Sequence, residues 1–226
     1  MLKMTGVSKA YRSEVLEIFA LRDLSIVVRE GEFIAVTGPS GCGKSTFLTI
    51  AGMLDEFTEG EYELDGVNVY RLNDCERSRL RNEKIGFVFQ SFNLLHDLTV
   101  RDNVEMPLRY RGLSAAERRR RVDSSLYHVG LSEWASNYPA ELSGGQQQRV
   151  AFARALAGSP RVLLADEPTG NLDDEKAKSV MDLMQELHRD GVTIVVVTHS
   201  AEMTRRAERE VRIVDGSIVP HPLLGP

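Results

Sequence analysis

Gly38-Pro39-Ser40-Gly41-Cys42-Gly43-Lys44-Ser45 is the stretch on which the reading of the chain turns. It follows a short apolar run, Phe33-Ile34-Ala35-Val36, and precedes a helical-looking one, Thr46-Phe47-Leu48-Thr49-Ile50. Gly38, Gly41 and Gly43 let the backbone curl so that successive N–H groups point inward, and a helix beginning near Lys44 adds its positive end. The product is an anion cradle in which Lys44 reaches the β- and γ-phosphates, the Ser45 hydroxyl ligates Mg²⁺ and Cys42 contributes mainly its backbone. An ordinary glycine-rich turn has no reason to sit between a strand and a helix in this order. The expected ligand is therefore a nucleoside triphosphate with Mg²⁺.

The whole composition sets bounds on what surrounds that loop. With 226 residues, 42% of them hydrophobic, the chain can fill one sizeable core, and a single domain over 1–226 is expected. Lys and Arg total 28 against 33 for Asp and Glu, a formal charge of -5, which argues against an overall electrostatic preference for nucleic acid. Cys42 and Cys75 are too few for a disulfide framework, and one lies where a nucleotide would bind, so both are expected as thiols in a reducing compartment. The N-terminus lacks the pattern of a signal peptide, and no stretch approaches the roughly 20 apolar residues of a membrane helix. A soluble, cytoplasmic protein follows, which another chain would have to anchor if it works at a membrane.

Before the loop, Leu2 to Val7 and Leu24 to Val28 carry apolar residues at strand-like intervals and read as an antiparallel edge, with Tyr11-Arg12-Ser13-Glu14 as a polar turn. Tyr11 is either an exposed aromatic or a face on which a base stacks. Arg29-Glu30-Gly31-Glu32 turns the chain into a buried strand, Phe33 to Thr37. After the loop, Glu59 to Leu64 is a strand entering an Asp65-Gly66 turn. A charged, arginine-rich stretch, Leu72 to Lys84, leads to a strand over Ile85 to Phe89. Gln90 ends it, placed to ligate a metal or orient water through its amide, or simply to lie on the surface.

In the middle of the chain, Asn93 to Val100 reads as an apolar loop, and Thr99 or Asp102 starts a helix that Pro107 keeps short or kinks. Ser114-Ala115-Ala116-Glu117 has capping-box spacing and opens a helix ending at Gly130. The run Arg118 to Arg121 within it reads as a solvated helix face or a protein-partner patch on a net acidic chain. In Leu142-Ser143-Gly144-Gly145-Gln146, Ser143 caps a helix over Gln147 to Leu156, and the two glycines expose its first N–H groups to an anion.

Val162-Leu163-Leu164-Ala165 is a buried strand with Asp166 at its carboxyl end, where an acidic residue of a phosphate-loop ATPase holds Mg²⁺. Glu167 follows and is assigned the attacking water, which it orients or deprotonates. Pro168-Thr169-Gly170 turns the chain into Asn171-Leu172-Asp173, which relays nucleotide state; for Asp173 a plain helix cap is the competing reading. A helix over Ser179 to His188 precedes the β-branched run Thr193 to Thr198, the mark of a strand covered on both faces. His199 at its carboxyl end is placed as a γ-phosphate contact. Val211 to Val214 and Ser217 to Val219 form a last hairpin through Asp215-Gly216, and His221 to Pro226 a loose tail.

Taken together, these motifs resemble the ATP-binding subunit of ABC transporters over essentially the whole chain. Tyr11 looks like the family's adenine-stacking aromatic, Gly38 to Ser45 with Thr46 behind it like its Walker A loop, Gln90 like its Q-loop glutamine, and Leu142 to Gln146 like its signature motif. Val162 to Asp166 resembles Walker B, Glu167 the catalytic glutamate, Asn171 to Asp173 part of the D-loop and His199 the switch histidine. No catalytic position departs from the pattern, and Cys42 stands where the family loop commonly has Ser or Cys. The resemblance implies an α/β P-loop fold with a mostly parallel core sheet, an antiparallel β subdomain, and a helical subdomain at about 91–157. It implies a Mg-dependent ATPase whose Ser143, Gly144, Gly145 and Gln146 close over ATP bound to a second copy, head to tail. It also implies an integral membrane permease docking near Gln90 to Leu108, on the cytoplasmic face of the cell membrane, and no direct nucleic acid.

Ala165 to Asp173 and Phe87 to Leu95 further resemble the branch that includes lipoprotein-release and macrolide-efflux-type ATPases. That branch implies export, lipoprotein release or mechanotransmission. The competing function is a soluble ABC-type ATPase acting on nucleic acid or the ribosome, a class that usually carries long coiled-coil or zinc inserts or two ATPase domains in one chain.

Overall fold

The computed structural model describes residues 1–12 and 17–219. In chain order the elements are β1 (Leu2–Arg12), β2 (Glu17–Val28), β3 (Phe33–Thr37), α1 (Lys44–Ala51), β4 (Glu59–Leu64), β5 (Val67–Asn68) and α2 (Asp74–Lys84). Then come β6 (Ile85–Val88), α3 (Val100–Arg109), α4 (Ala115–His128), α5 (Gly144–Leu156), β7 (Val162–Asp166) and α6 (Asp174–Arg189). The last are β8 (Thr193–Val197), α7 (Ala201–Arg206), β9 (Arg209–Val214) and β10 (Ser217–Val219). The chain forms two compact units, Met1–Arg79 with Val195–Pro226, and Leu80–Ile194. Strands β10, β9 and β3 are neighbours in that order in the first unit, and β7 and β6 are neighbours in the second.

In the first unit, β2-β1-β4-β5 form an antiparallel sheet. Leu2 opposes Val28 on one side and Leu64 on the other, and Met4 opposes Ile26 and Tyr62, so that these apolar side chains are buried. The antiparallel pairing agrees with the sequence, but both strands are longer than their alternation indicates. Register shifts between Met4 and Val7, Val7 and Lys9, and Lys9 and Ala10 break the period of two that marks a strand. Tyr11 is accordingly not in a turn; it lies within β1, paired with Ile18, while Ser13 and Glu14 fall outside the described residues. Asp65 (φ 51°) and Gly66 (φ 77°) make the tight β4–β5 turn that Asp-Gly favours.

Tyr62 is fully buried on β4 and its hydroxyl donates to the Ala51 carbonyl at the end of α1 (2.5 Å); burial pushes the phenol well above its usual range. Tyr62→Phe keeps the ring and strands that carbonyl, so a loss of about 1 kcal/mol in unfolding free energy is expected, measurable by urea titration. In the same unit β3 runs parallel to β9, Val36 opposite Val211, and the Asp215-Gly216 hairpin joins β9 to β10 as expected. The tail at His221 to Pro226 lies outside the described residues.

The second unit carries β6 parallel to β7, with Val88 opposite Ala165, and the helices α3 to α6. Leu72 to Lys84, given no element from sequence, contains α2. No α2 residue is buried, so no apolar period betrays it. Its signal is Asn73, whose Oδ1 accepts from the Glu76 amide while Glu76 Oε2 accepts from the Asn73 amide, each at 3.0 Å. Ser114 caps α4 through the Glu117 amide, and Gly130 (φ 70°) follows its end. Helices α5 and α6 start earlier than their apolar spacing indicates, because their first turns are glycine or acidic residues that carry no hydrophobic signal. Arg118, Arg120 and Arg121 of α4 are ion-paired with Glu105 or Glu117.

Candidate functional site

In the first unit, the loop from Gly38 to Gly43 connects β3 to α1 with a backbone that side chains would obstruct. A Cβ on Gly38 (φ 147°) would lie 2.0 Å from the Ile213 carbonyl oxygen, and one on Gly43 (φ 105°) 2.3 Å from that of Ala20. Both contacts are with backbone, which cannot yield as a flexible side chain could. No side chain caps α1 and no acidic residue stands in its first turn, so the positive end of the helix is left to a ligand. Lys44 is the first residue of that helix. It is buried, and its ammonium donates to the Gly38 (3.0 Å) and Pro39 (2.8 Å) carbonyls, lying across the loop. Pro39, Ser40 and Ser45 are exposed and Thr46 half-buried. The Cys42 side chain is buried, its Sγ 4.0 Å from Lys44 Nζ, and its carbonyl accepts from Gly216.

Two further residues of this unit belong to the candidate site. Tyr11 is 48% exposed, its ring 5.0 Å from the Lys9 ammonium and its hydroxyl donating to Asp55 Oδ2 (3.0 Å). Lys9 donates to Asp55 Oδ1 (2.7 Å). Burial raises the Asp55 carboxyl, but hydrogen bonds from Lys9, the Glu56 amide and Tyr11 outweigh it and hold the group below its usual range. A ring tethered through its hydroxyl keeps its orientation, as a stacking platform requires. His199 is exposed and follows Thr198, whose amide donates to Val36 of β3 (3.1 Å).

In the second unit, Asp166 ends β7 and Glu167 follows in the left-handed region (φ 43°), a backbone that a non-glycine residue adopts at a cost. The Gly170 amide closes the turn onto the Glu167 carbonyl (2.9 Å). Gln90 and Asn171 are joined by two hydrogen bonds: Gln90 Nε2 donates to Asn171 Oδ1 (3.2 Å), and Asn171 Nδ2 donates to the Gln90 carbonyl (3.0 Å). Asp173 caps α6 by accepting from the Lys176 amide (3.0 Å), and the Lys176 side chain and amide hold its carboxyl below the usual range. The helix-cap reading of Asp173 is thus realised, which leaves a further role open.

Ser143 caps α5 in a reciprocal box, its Oγ accepting from the Gln146 amide (3.4 Å) and Gln146 Oε1 accepting from the Ser143 amide (2.9 Å). Gly144 lies against Leu172 and Phe92, where a Cβ would be 3.5 and 3.8 Å from them; at Gly145 it would be 3.1 Å from the Lys176 side chain. Within this unit the Ser-Gly-Gly turn and Asn171-Leu172-Asp173 are therefore neighbours, a relation invisible in the sequence. Two positioning residues were also missed. Asn103, buried on α3, binds the Leu95 amide through Oδ1 and the Leu95, Leu98 and Thr99 carbonyls through Nδ2, fixing the segment after Gln90. Arg154 of α5 donates to the carbonyls of Phe92 (2.8 Å) and Asn93. Their signal is only that of polar residues on otherwise apolar helix faces.

Each residue expected to bind the metal offers a hard oxygen: the Ser45 hydroxyl in the first unit, and the Gln90 amide and the Asp166 carboxylate in the second. Among the described residues no group of three or more His, Cys, Asp or Glu could hold a metal ion by itself.

A family model described as ABC transporter matches residues 21–170. The chain belongs to the ABC transporter family. This ABC protein is 46% identical over 219 residues to the uncharacterized ABC transporter ATP-binding protein YvrO of Bacillus subtilis, covering 97% of the chain and 96% of the relative. It is 43% identical to the macrolide export ATP-binding/permease protein MacB of Brucella melitensis, over 97% of the chain but only 34% of that longer protein. Among solved structures, the ATP-binding cassette MJ0796, described as dimeric, in a post-hydrolysis state and bound to ADP and Pi, superposes with a TM-score of 0.89 at 44% identity over 100% of both chains. The fold is the α/β P-loop fold of ABC ATP-binding subunits, and the ABC chain binds and hydrolyses ATP.

Proposed function

We propose that the chain is the motor of a membrane complex of the macrolide-efflux or lipoprotein-release type, working as a head-to-tail pair beneath a separate permease. The observation that carries this reading is the alignment of nearly the whole chain with about a third of a protein whose name joins an ATP-binding part to an export permease. The dimeric description of the MJ0796 cassette supports the pairing. No helix among the described residues is long and apolar enough to cross a membrane, so the proposed permease contributes the spans.

Each residue then has a task. Residues Gly38 to Thr46, through the backbone N–H groups that all of them but Pro39 carry, and the end of α1 hold the phosphates, and Lys44 exchanges its two carbonyls for the β- and γ-phosphate oxygens. Tyr11 stacks on the base. Mg²⁺, when bound, neutralises charge between the β- and γ-phosphates. Ser45, Gln90 and Asp166 are the residues that would hold it. Glu167 accepts a proton from the attacking water, and His199 contacts the γ-phosphate. Ser143, Gly144, Gly145 and Gln146 close over the ATP of the other copy, and Asn171, Leu172 and Asp173 carry the change between copies. Residues of about 91–157 act as the helical subdomain of a single ATPase domain.

The permease is proposed to dock on the segment from Gln90 to Leu108, where Leu95 is 49% exposed on a loop that Asn103 holds in shape. On the cytoplasmic face of the host membrane, the parent chain is expected to sediment with membranes and to cross-link to one integral membrane protein there. Leu95→Glu places a charge in that contact and should release the chain. A parent chain recovered only with ribosomes or DNA would overturn the assignment.

A further inference from the structure

The doubled contact between Gln90 and Asn171 has a chemical consequence that follows from donor and acceptor rules. The Gln90 carbonyl can only accept, so the atom of Asn171 turned to it must be Nδ2 (3.0 Å). That turns Asn171 Oδ1 toward the Gln90 side chain, and since Oδ1 can only accept, the end of the Gln90 amide meeting it must be Nε2 (3.2 Å). The nitrogen end of the amide also lies over Gly170, where a Cβ would come within 2.7 Å of it. The backbone beyond is held independently: Phe92 (φ 61°) and Asn93 (φ 49°) are both left-handed, and Arg154 of α5 binds both of their carbonyls.

We propose that Asn171 is a positioning residue for Gln90, fixing its amide so that Oε1, and not Nε2, is the end presented to the metal of the nucleotide. An amide with no partner offers either end, and Mg²⁺ accepts only oxygen. With the nitrogen committed to Asn171, every encounter with a cation meets the ligating atom. The turn that follows Glu167 is thereby tied to the turn after β6 that carries Gln90 within one chain. The inference rests on the proposed role of Gln90 as a metal ligand and adds to it the residue that makes the ligand competent.

The test compares the parent chain, Asn171→Ala, Gln90→Ala and the double variant. A non-hydrolysable ATP analogue is bound with Mn²⁺, followed by the electron paramagnetic resonance of the bound ion, and the same analogue is bound without metal. Partners that orient a metal ligand typically contribute 10–100-fold to metal affinity. Asn171→Ala should weaken the metal-dependent part of binding by about 10-fold, at the low end of that range, and leave metal-free binding as in the parent. Gln90→Ala should weaken it at least as much, and adding Asn171→Ala to Gln90→Ala should cost nothing further, since the two act as one unit. Asn171 is exposed, and a thermal melt confirms that each variant is folded. Loss in Gln90→Ala but not in Asn171→Ala would overturn the inference and leave Gln90 as a ligand. An equal further loss in the double variant would overturn it as well. No effect in either single variant would remove both the inference and the ligand assignment beneath it.

Discussion

Glu167→Gln is expected to lower ATP turnover by about 10²–10⁴-fold, the usual contribution of a positioned acid–base group, while nucleotide affinity stays close to that of the parent. The substitution preserves size and hydrogen-bonding reach and removes only the charge able to polarise or take a proton from water. Asp166, one residue earlier at the end of β7, is untouched and keeps its proposed place at the metal. Glu167 is held in the left-handed region (φ 43°), strained backbone of the kind that collects at functional sites. If Glu167 merely shaped the turn closed by the Gly170 amide, Gln would serve nearly as well and turnover would fall little. Single-turnover hydrolysis beside equilibrium nucleotide binding separates these outcomes.

Lys44→Ala is expected to remove most nucleotide binding. Hydrogen bonds to charged groups contribute about 1.5–3 kcal/mol, so the loss of the ammonium from the phosphates should weaken ATP affinity by roughly 10- to 150-fold. The ammonium also donates to the Gly38 and Pro39 carbonyls, so the melting temperature of the variant must be read with its affinity. Lys44→Arg is expected not to restore binding, because the planar, longer guanidinium cannot take the place of a compact ammonium across a loop this tight. Parental affinity in a folded Lys44→Ala chain would contradict the loop assignment.

How far these expectations could be read from sequence depended on the range of the interactions. The loop, β3, β6, β7 and β8 were legible because each is local: apolar runs of strand length, glycines at a tight turn, an acidic residue after a buried strand. Helix α2 was not, since all its faces are polar and its one mark is the Asn73–Glu76 cap. Tyr11 was misplaced into a turn because irregular pairing in β1 hides the alternation that defines a strand. The partners of the site residues were the least legible: Asp55 for Tyr11, Asn171 for Gln90 and Arg154 for Phe92 are separated by 44, 81 and 62 positions, and only the fold brings them together.

The measurement that bears most directly on the proposed pairing is phosphate release per chain as the concentration of the purified protein is raised. One chain carries one phosphate loop and one Ser143-Gly144-Gly145-Gln146, so in the proposed head-to-tail pair each ATP would need a second copy to close over it. Release per chain should climb with concentration and level off as pairs fill. A rate that stays constant with dilution, from a chain that light scattering shows to be monomeric throughout, would contradict the account.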